Sequence, residues 1–353
     1  LKRDITAGLY IHVPFCVRKC PYCDFYSVTN TELTEAYTKA AVRNVRGKKA
    51  DTVYFGGGTP SLLTAEQLYR ILSAADIEAD AEITIECNPN SADKKYFEDI
   101  RSAGVNRLSL GIQSLSNKEL SALGRLHNAE EAIIAVKDAY KAGFRNISAD
   151  IMLATAYQTE KTLENTLNGL FSLPLDHISA YMLKIEEGTP YCKNENIRSL
   201  IPDEEKTADM YLEAVRLLEE NGFEQYEISN FSKSGYESKH NLKYWRCEEY
   251  YGIGPSAHSF IDGVRRACPP SIESFIENEI QTEVVTDENA GTLEERIMLA
   301  LRLTKEGVSD SYFDEKKLSA LENADYIRRF DGRIALTPKG CLVSNEIICE
   351  LCL

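Results

Sequence analysis

The sequence predicts an α/β fold: an incomplete, TIM-like (β/α)6 barrel followed by a small winged-helix-like C-terminal domain. Three observations carry this. Six short apolar segments alternate strictly with amphipathic ones, the pattern of parallel strands joined by right-handed helical crossovers. The strand segments are rich in Ile, Leu, Val and Tyr, as strands covered on both faces require. Six units are too few to close an eight-fold barrel, which leaves a splayed partial barrel or a flat doubly wound sheet; the partial barrel is the expected form. A length of 353 residues suits one large α/β domain plus a smaller piece.

In order, LYIHV (9–13) reads as the first strand, and a loop holding three cysteines follows it. A helix is expected over 33–45. TVYF (52–55) is the second strand and runs into GGGTPS. Thr64 is placed as the N-cap of a helix starting at Ala65. AEITIECNP (81–89) is the third strand, with a helix over 93–103. RLSLGIQS (107–114) is the fourth, with helices over 118–123 and 130–142. ISADIML (147–153) is the fifth, with a helix over 159–173. HISAYML (177–183) is the sixth, and a long helix over 204–221 comes after it. Beyond Phe223 the rhythm breaks into an aromatic, polar, turn-rich stretch. TLEERIMLALRL then predicts an amphipathic helix, residues 316–322 a second, and YIRRFDGRIALTPKG two strands around Asp331-Gly332, with one final helix. The expected boundaries are 1–225 for the partial barrel, 226–289 for an extension and 290–353 for the winged-helix-like unit.

A formal net charge of −15 repels a phosphate backbone and excludes nucleic acid as a general partner. The C-terminal unit holds at least as many acidic as basic residues, so it does not read as a DNA reader. No run of about 18 apolar residues occurs, and the first residues lack the apolar core of a signal peptide. Ten cysteines are sparse in so long a chain, and a reducing, cytoplasmic compartment is expected. Seven of them (Cys87, Cys192, Cys247, Cys268, Cys341, Cys349 and Cys352) are expected to be small buried hydrophobes.

The other three crowd into HVPFCVRKCPYCDFYS (12–27) as Cys16, Cys20 and Cys23, spaced C-x3-C-x2-C. A closed structural zinc needs four ligands, typically from two paired halves, and no second half is present. Three thiolates can hold three irons of a [4Fe–4S] cluster and leave the fourth open. The plain alternative is an incidental or redox-active thiol group.

With FGGGTPS (55–61) and HNLKYW (240–245), this loop resembles the radical SAM superfamily over nearly the whole chain. More narrowly, it is similar to the branch that holds the oxygen-independent coproporphyrinogen III dehydrogenases and the HemW heme chaperones. The resemblance implies that the open iron chelates S-adenosylmethionine (SAM), whose reductive cleavage gives a 5′-deoxyadenosyl radical. It assigns SAM contacts to Tyr10, Tyr22, Gly57, Gly58, Thr59, Glu86, Gln113, Arg125, Asp150, Ala180 and His258. It implies that an Arg125–Asp150 pair satisfies both charges, and that His240 supplies an axial imidazole to heme. On residues alone, Tyr10 and Tyr22 read equally well as core packing, and His240 as a hydrogen-bonded loop histidine.

There are departures. The dehydrogenases resemble C-x3-C-x2-C-x-C, whereas Phe25 stands at the last position here, as in the chaperone pattern. A Gly-containing turn after the fifth strand is replaced by residues 154–157, which puts SAM contacts there in question. The chain is also shorter than the family habit near 46–49, 192–201 and 314–323. The resemblance thus implies a heme chaperone carrying a [4Fe–4S] cluster and SAM, receiving heme and passing it to a recipient such as a respiratory hemoprotein. It leaves room for a homodimer and for peripheral membrane contact. The rivals are oxidative decarboxylation of coproporphyrinogen III and another radical SAM reaction.

Overall fold

The computed structural model describes residues 6–352. Six parallel strands, β1 (Thr6–Val13), β2 (Lys49–Gly57), β3 (Asp76–Cys87), β4 (Arg107–Gln113), β5 (Ile147–Leu153) and β6 (His177–Met182), lie side by side in chain order. A doubly wound sheet reverses its order partway; this one does not, and it forms the wall of a partial barrel. The helices fall where the apolar spacing predicts. Thr64 caps the helix Ala65–Leu72 in a reciprocal bond with Gln67.

Alternation along each strand splits the side chains into two sets. Leu9, Ile11, Val13, Val53, Phe55, Ile83 and Ile85 pack outward against the helices in one continuous core. Tyr10, Tyr54, Glu86, Ser109 and Asp150 form the inner set. Tyr10 stacks on Tyr54, Tyr54 donates to Glu86, and Ser109 donates to Asp150. The inside of the barrel is therefore polar and hydrogen-bonded, as buried polar groups must be.

The sheet does not stop at six strands. A hairpin of β7 (Glu224–Glu227) and β8 (Asn230–Ser232) adds antiparallel to β6. On the opposite edge β9 (Tyr250–Ile253) pairs parallel to β1, and β10 (His258–Ile261), β11 (Val264–Ala267) and β12 (Val284–Asp287) continue antiparallel. The stretch expected to be a separate turn-rich extension thus lengthens the barrel wall at both ends. Strands of three or four residues are too short to display a period of two.

The HNLKYW motif forms the helix Lys239–Trp245, capped by Ser238. This helix closes the barrel at the start of the strands. The His240 backbone N–H donates to Glu82 Oε1 at 3.2 Å. Glu82 is the register partner of Thr52, near the start of β2. Lys243, almost fully buried, pairs with Asp51 at 2.8 Å and Glu248 at 3.2 Å.

The last unit holds the helices Leu293–Ala300 and Glu315–Asn323 and a three-stranded sheet of β13 (Val308–Ser309), β14 (Ile327–Phe330) and β15 (Arg333–Leu336). Asp331 and Gly332 both have positive φ, as a two-residue hairpin turn demands. Two helices, Pro338–Leu342 and Ser344–Cys352, follow where one was expected. No helix among the described residues is long and apolar enough to cross a membrane. All ten cysteines are free thiols. Cys87, Cys247, Cys268 and Cys341 are buried as expected, but Cys349 is exposed and Cys192 and Cys352 only partly covered.

His240 itself is fully buried, with Nδ1 2.9 Å from Thr52 Oγ1 and Nε2 2.8 Å from the Tyr244 hydroxyl. Replacing it by Ala strands two buried hydroxyls, and the expected cost is about 1–3 kcal/mol, read as a lowered Tm. Burial pushes its pKa down to about 3, with Lys243 and Arg107 adding. The unfolded chain takes up that proton at about pH 6.5. The neutral ring thus contributes its full stability above that pH and loses it as pH falls toward the folded value, by at most about 1.4 kcal/mol per pH unit. A His240→Gln variant should show a shallower fall in Tm than the wild type from about pH 7 to about pH 5; an equal slope would contradict the buried neutral ring.

Candidate functional site

The cysteine loop spans the gap between β1 and the short 3-10 turn Thr31–Leu33. It is sewn at its base: Val28 N–H donates to Pro14 O at 2.6 Å and Cys16 N–H to Val28 O at 2.9 Å. His12 Nε2 donates to Tyr26 O at 2.9 Å, and the Tyr26 hydroxyl accepts from Ile272 N at 3.0 Å. On its far side Arg18 donates to Gly124 O, and Tyr191 N–H to Pro21 O.

The glycines of FGGGTPS have a steric reason. Gly58 and Thr59 donate their backbone N–H groups to Val13 O at 2.9 Å and Phe15 O at 2.6 Å. A Cβ on Gly58 would lie 2.6 Å from Phe15 O, and one on Gly57, whose φ is +106°, 2.6 Å from the His12 ring. The end of β2 is thus pressed directly under the cysteine loop.

From there a hydrogen-bonded chain runs from thiol to thiol. Thr59 Oγ1 lies 3.6 Å from Cys16 Sγ and accepts from Asn88 Nδ2 at 2.9 Å. Asn88 Oδ1 accepts from Arg125, which also donates to Gly111 O at 2.8 Å and lies 3.7 Å from Cys20 Sγ. Asn88 is a member of this group that sequence reasoning missed. Its signal was the Asn-Pro step closing the third strand, which reads equally well as a turn. Tyr22 is held edge-on to Tyr191, their centroids 6.1 Å apart; burial raises its hydroxyl pKa, and Arg125 opposes that. Burial pushes the Cys23 thiol up as well, with the charges of Cys20 and Cys16 adding.

Glu86 accepts from Tyr54 at 2.9 Å and from Gly57 N–H at 3.2 Å. Loss of solvation pushes it up to about 7, with the Asp150 charge adding and its two hydrogen bonds opposing. Asp150 accepts from Ser109 at 2.9 Å and from Ser148 at 3.4 Å. Burial raises it too, and the serines pull it back. Gln113 sits at a break in the β4–β5 register with φ +68°, a conformation L residues rarely adopt outside functional or strained sites. Its amide reaches the space above Gly111 that Arg125 and Asn88 also reach.

The structure therefore gathers Thr59, Arg125 and Gln113 at the C-terminal ends of β2–β4, where parallel α/β folds place their ligands, with Glu86 and Asp150 on the inner wall beside them. Two expectations need correction. Arg125 and Asp150 do not pair; Arg125 serves the cysteine loop, and Asp150 accepts from serines with Arg107 as its countercharge. The Ala180 methyl points into the outer core with Ile178, so only its backbone is left to meet a ligand. His240 presents no free nitrogen. Tyr10 adjoins the gathered group through Tyr54 and Glu86, and with His258 it also lines a cavity beside the cysteine loop. Cys87 lies in the outer core, not with the three thiols.

Residues 10–170 match the family profile described as the radical SAM superfamily. A protein of Lactococcus lactis named heme chaperone HemW is 34% identical, over 96% of this chain and 95% of its own. The chain belongs to the radical SAM superfamily, in the HemW family. A Bacillus subtilis heme chaperone HemW is also 34% identical, over 96% of this chain and 97% of its own. Among solved structures, the radical SAM enzyme coproporphyrinogen III oxidase (HemN) of Escherichia coli superposes with a TM-score of 0.81, covering 99% of this chain and 91% of that one at 19% identity. That likeness speaks to the fold.

Membership brings a [4Fe–4S] cluster and SAM into the question of fit. Among the described residues, no three His, Cys, Asp or Glu side chains crowd together as the ligands of one metal ion would. In a [4Fe–4S] cluster each thiolate binds a different iron. Three half-buried thiols on one braced loop, with a cation beside one of them, match that donor set.

Two outcomes test the site. Cys20→Ala should abolish thiolate-to-iron charge-transfer absorbance after anaerobic reconstitution, while Cys87→Ala keeps it; a full cluster in the former or loss in the latter would overturn the ligand assignment. Gly58→Ala should displace the loop and cut cluster occupancy with all three cysteines present, measured as iron and sulfide per chain.

Proposed function

We propose that this chain is a heme chaperone that holds a [4Fe–4S] cluster on Cys16, Cys20 and Cys23, binds SAM at the strand ends, and receives heme for delivery to a hemoprotein. The observation that carries this reading is similarity over nearly the full length to proteins named heme chaperone HemW. Phe25 supports it. It replaces the fourth cysteine of the decarboxylating pattern and leaves its ring largely exposed on the cysteine loop.

When bound, the cluster supplies an electron source and an iron with an open coordination position. The chain's own residues do the positioning. Thr59 and Arg125 brace Cys16 and Cys20, and Asn88 locks them to each other. Glu86, Gln113 and Asp150 offer polar atoms to the amino, ribose and adenine groups of SAM. Glu86, with a pKa of about 7, can hold or release a proton near neutrality.

Anaerobically reconstituted protein should bind hemin with a Soret band and should not convert coproporphyrinogen III. Phe25→Cys should not by itself create that conversion, since contacts to the substrate would still be absent. Turnover by the unmodified protein would replace the chaperone reading with the decarboxylase one.

A further inference from the structure

Three non-glycine residues at the ends of β4 and β5 take the left-handed backbone region: Gln113 at φ +68°, Ala154 at φ +57° and Tyr157 at φ +69°. Such residues persist only where their surroundings hold them. At Gln113 the chain turns back on itself, because Ser114 N–H donates to Ile112 O at 2.9 Å. A three-residue turn about a positive φ is strained. The break in the β4–β5 register falls at the same residue.

One short helix, Asn117–Ala122, serves all three positions. Its Glu119 is fully buried and accepts through Oε2 from Ser114 Oγ at 2.7 Å and from Gln158 Nε2 at 3.2 Å. Ser114 is the residue after Gln113, and its Oγ also accepts from Ser116 N–H at 2.9 Å. Gln158 in turn accepts from Ala154 N–H. Lys118 lays its ammonium over the Tyr157 ring, 4.0 Å from the centroid. Both donors to Glu119 are neutral, and no ion pair reaches its carboxylate among the described residues. Its Oε1 has no hydrogen-bond partner there. A buried carboxylate without a cation is a poor stabiliser of a core. What it contributes is one anchor shared by two strand ends, and breaches of the packing rules of this kind gather at functional sites.

The Gln113 side chain shows what the anchor aims. A Cβ on Gly111 would lie 3.1 Å from Gln113 Nε2, 3.2 Å from Arg125 and 3.2 Å from Asn88 Oδ1. The three polar groups thus converge on one spot, and the strained turn carries Gln113 there. We propose that Glu119 is a positioning residue for SAM: through Ser114 it holds the Gln113 turn, and so keeps the Gln113 amide beside Arg125 and Asn88. This rests on the SAM reading above and adds a residue that acts through Gln113 rather than by touching SAM.

The test titrates cluster-reconstituted full-length protein anaerobically with SAM by calorimetry, with cluster absorbance recorded for each variant. Glu119→Ala should weaken SAM binding about tenfold and leave cluster absorbance unchanged. Glu119→Gln keeps an oxygen for Ser114 and Gln158, and should stay within about threefold of the wild type. A double-mutant cycle decides the route: with Gln113→Ala already made, Glu119→Ala should cost less than about twofold more. Ser114→Ala, a milder change, should give the same loss and the same non-additivity, and it carries the cycle if Glu119→Ala does not fold. An unchanged SAM affinity in either variant would overturn the proposal. So would an equal loss with and without the Gln113 amide, which would make Glu119 a general structural residue. A loss in Glu119→Gln as large as in Glu119→Ala would also overturn it, by making the charge rather than the hydrogen bonds the operative feature. Failure of the wild type to bind SAM at all would overturn the SAM reading itself.

Discussion

Gly58 has no room for a side chain, and the arrangement of the site follows from that. Its N–H and that of Thr59 reach the carbonyls of Val13 and Phe15, so the end of β2 and the start of the cysteine loop are in backbone contact. A loop of some fifteen residues is costly to order in one geometry. Here its two ends are paired to each other, its floor is a strand end, and its outer turn is tied to Gly124 and to Tyr191. The thiols are thereby placed over the C-terminal ends of the strands. The Thr59–Asn88–Arg125 chain then uses three different strand–helix connections to fix Cys16 relative to Cys20.

The opposite end of the barrel solves a different problem. The inner faces of the strands carry Thr52, Glu82, Arg107, Asp150 and His177, all of which need partners once water is excluded. The motif helix supplies several of them. His240 satisfies Thr52 through its ring and Glu82 through its backbone, and Tyr244 satisfies His240. Tyr226, from the β7–β8 hairpin, satisfies His177 and also accepts from Ser238 N–H, the cap of the motif helix. A sequence motif that reads as a ligand signature is thus also a hydrogen-bonded plug. Arg107, fully buried, carries the countercharge for Glu82 and Asp150 from within.

Most of this fold was legible because the six strands are long enough to show their outward apolar set and the helices long enough to show caps. The site was legible where chemistry imposes spacing: C-x3-C-x2-C survives any fold. The errors have separate causes. Arg125 and Asp150 have opposite charges and each needs a partner, but Asp150 accepts from Ser109 and Ser148 and has its countercharge in Arg107, a different arginine from the expected one. The added strands β9–β12 are held by pairing to an existing edge, which is tertiary information. Residues 154–157 lack the expected glycine, and Ala154 takes a φ of +57° all the same. Gln158 accepts from Ala154 N–H and donates to Met152 O, holding the turn. Nothing in the local sequence announces that compensation.

The cysteine loop has two sides, and they cannot be independent. Cys23 is two residues from Phe25 and three from Tyr26, and the latter two line the aromatic cavity. The Tyr26 carbonyl fixes the His12 ring, whose other nitrogen takes the Tyr10 hydroxyl at the cavity wall. The segment that carries Cys23 therefore also builds one wall of the cavity. Coupling between two sites is reciprocal by thermodynamic necessity. Were a cluster and a cavity ligand both bound, each would change the other's affinity by the same free energy.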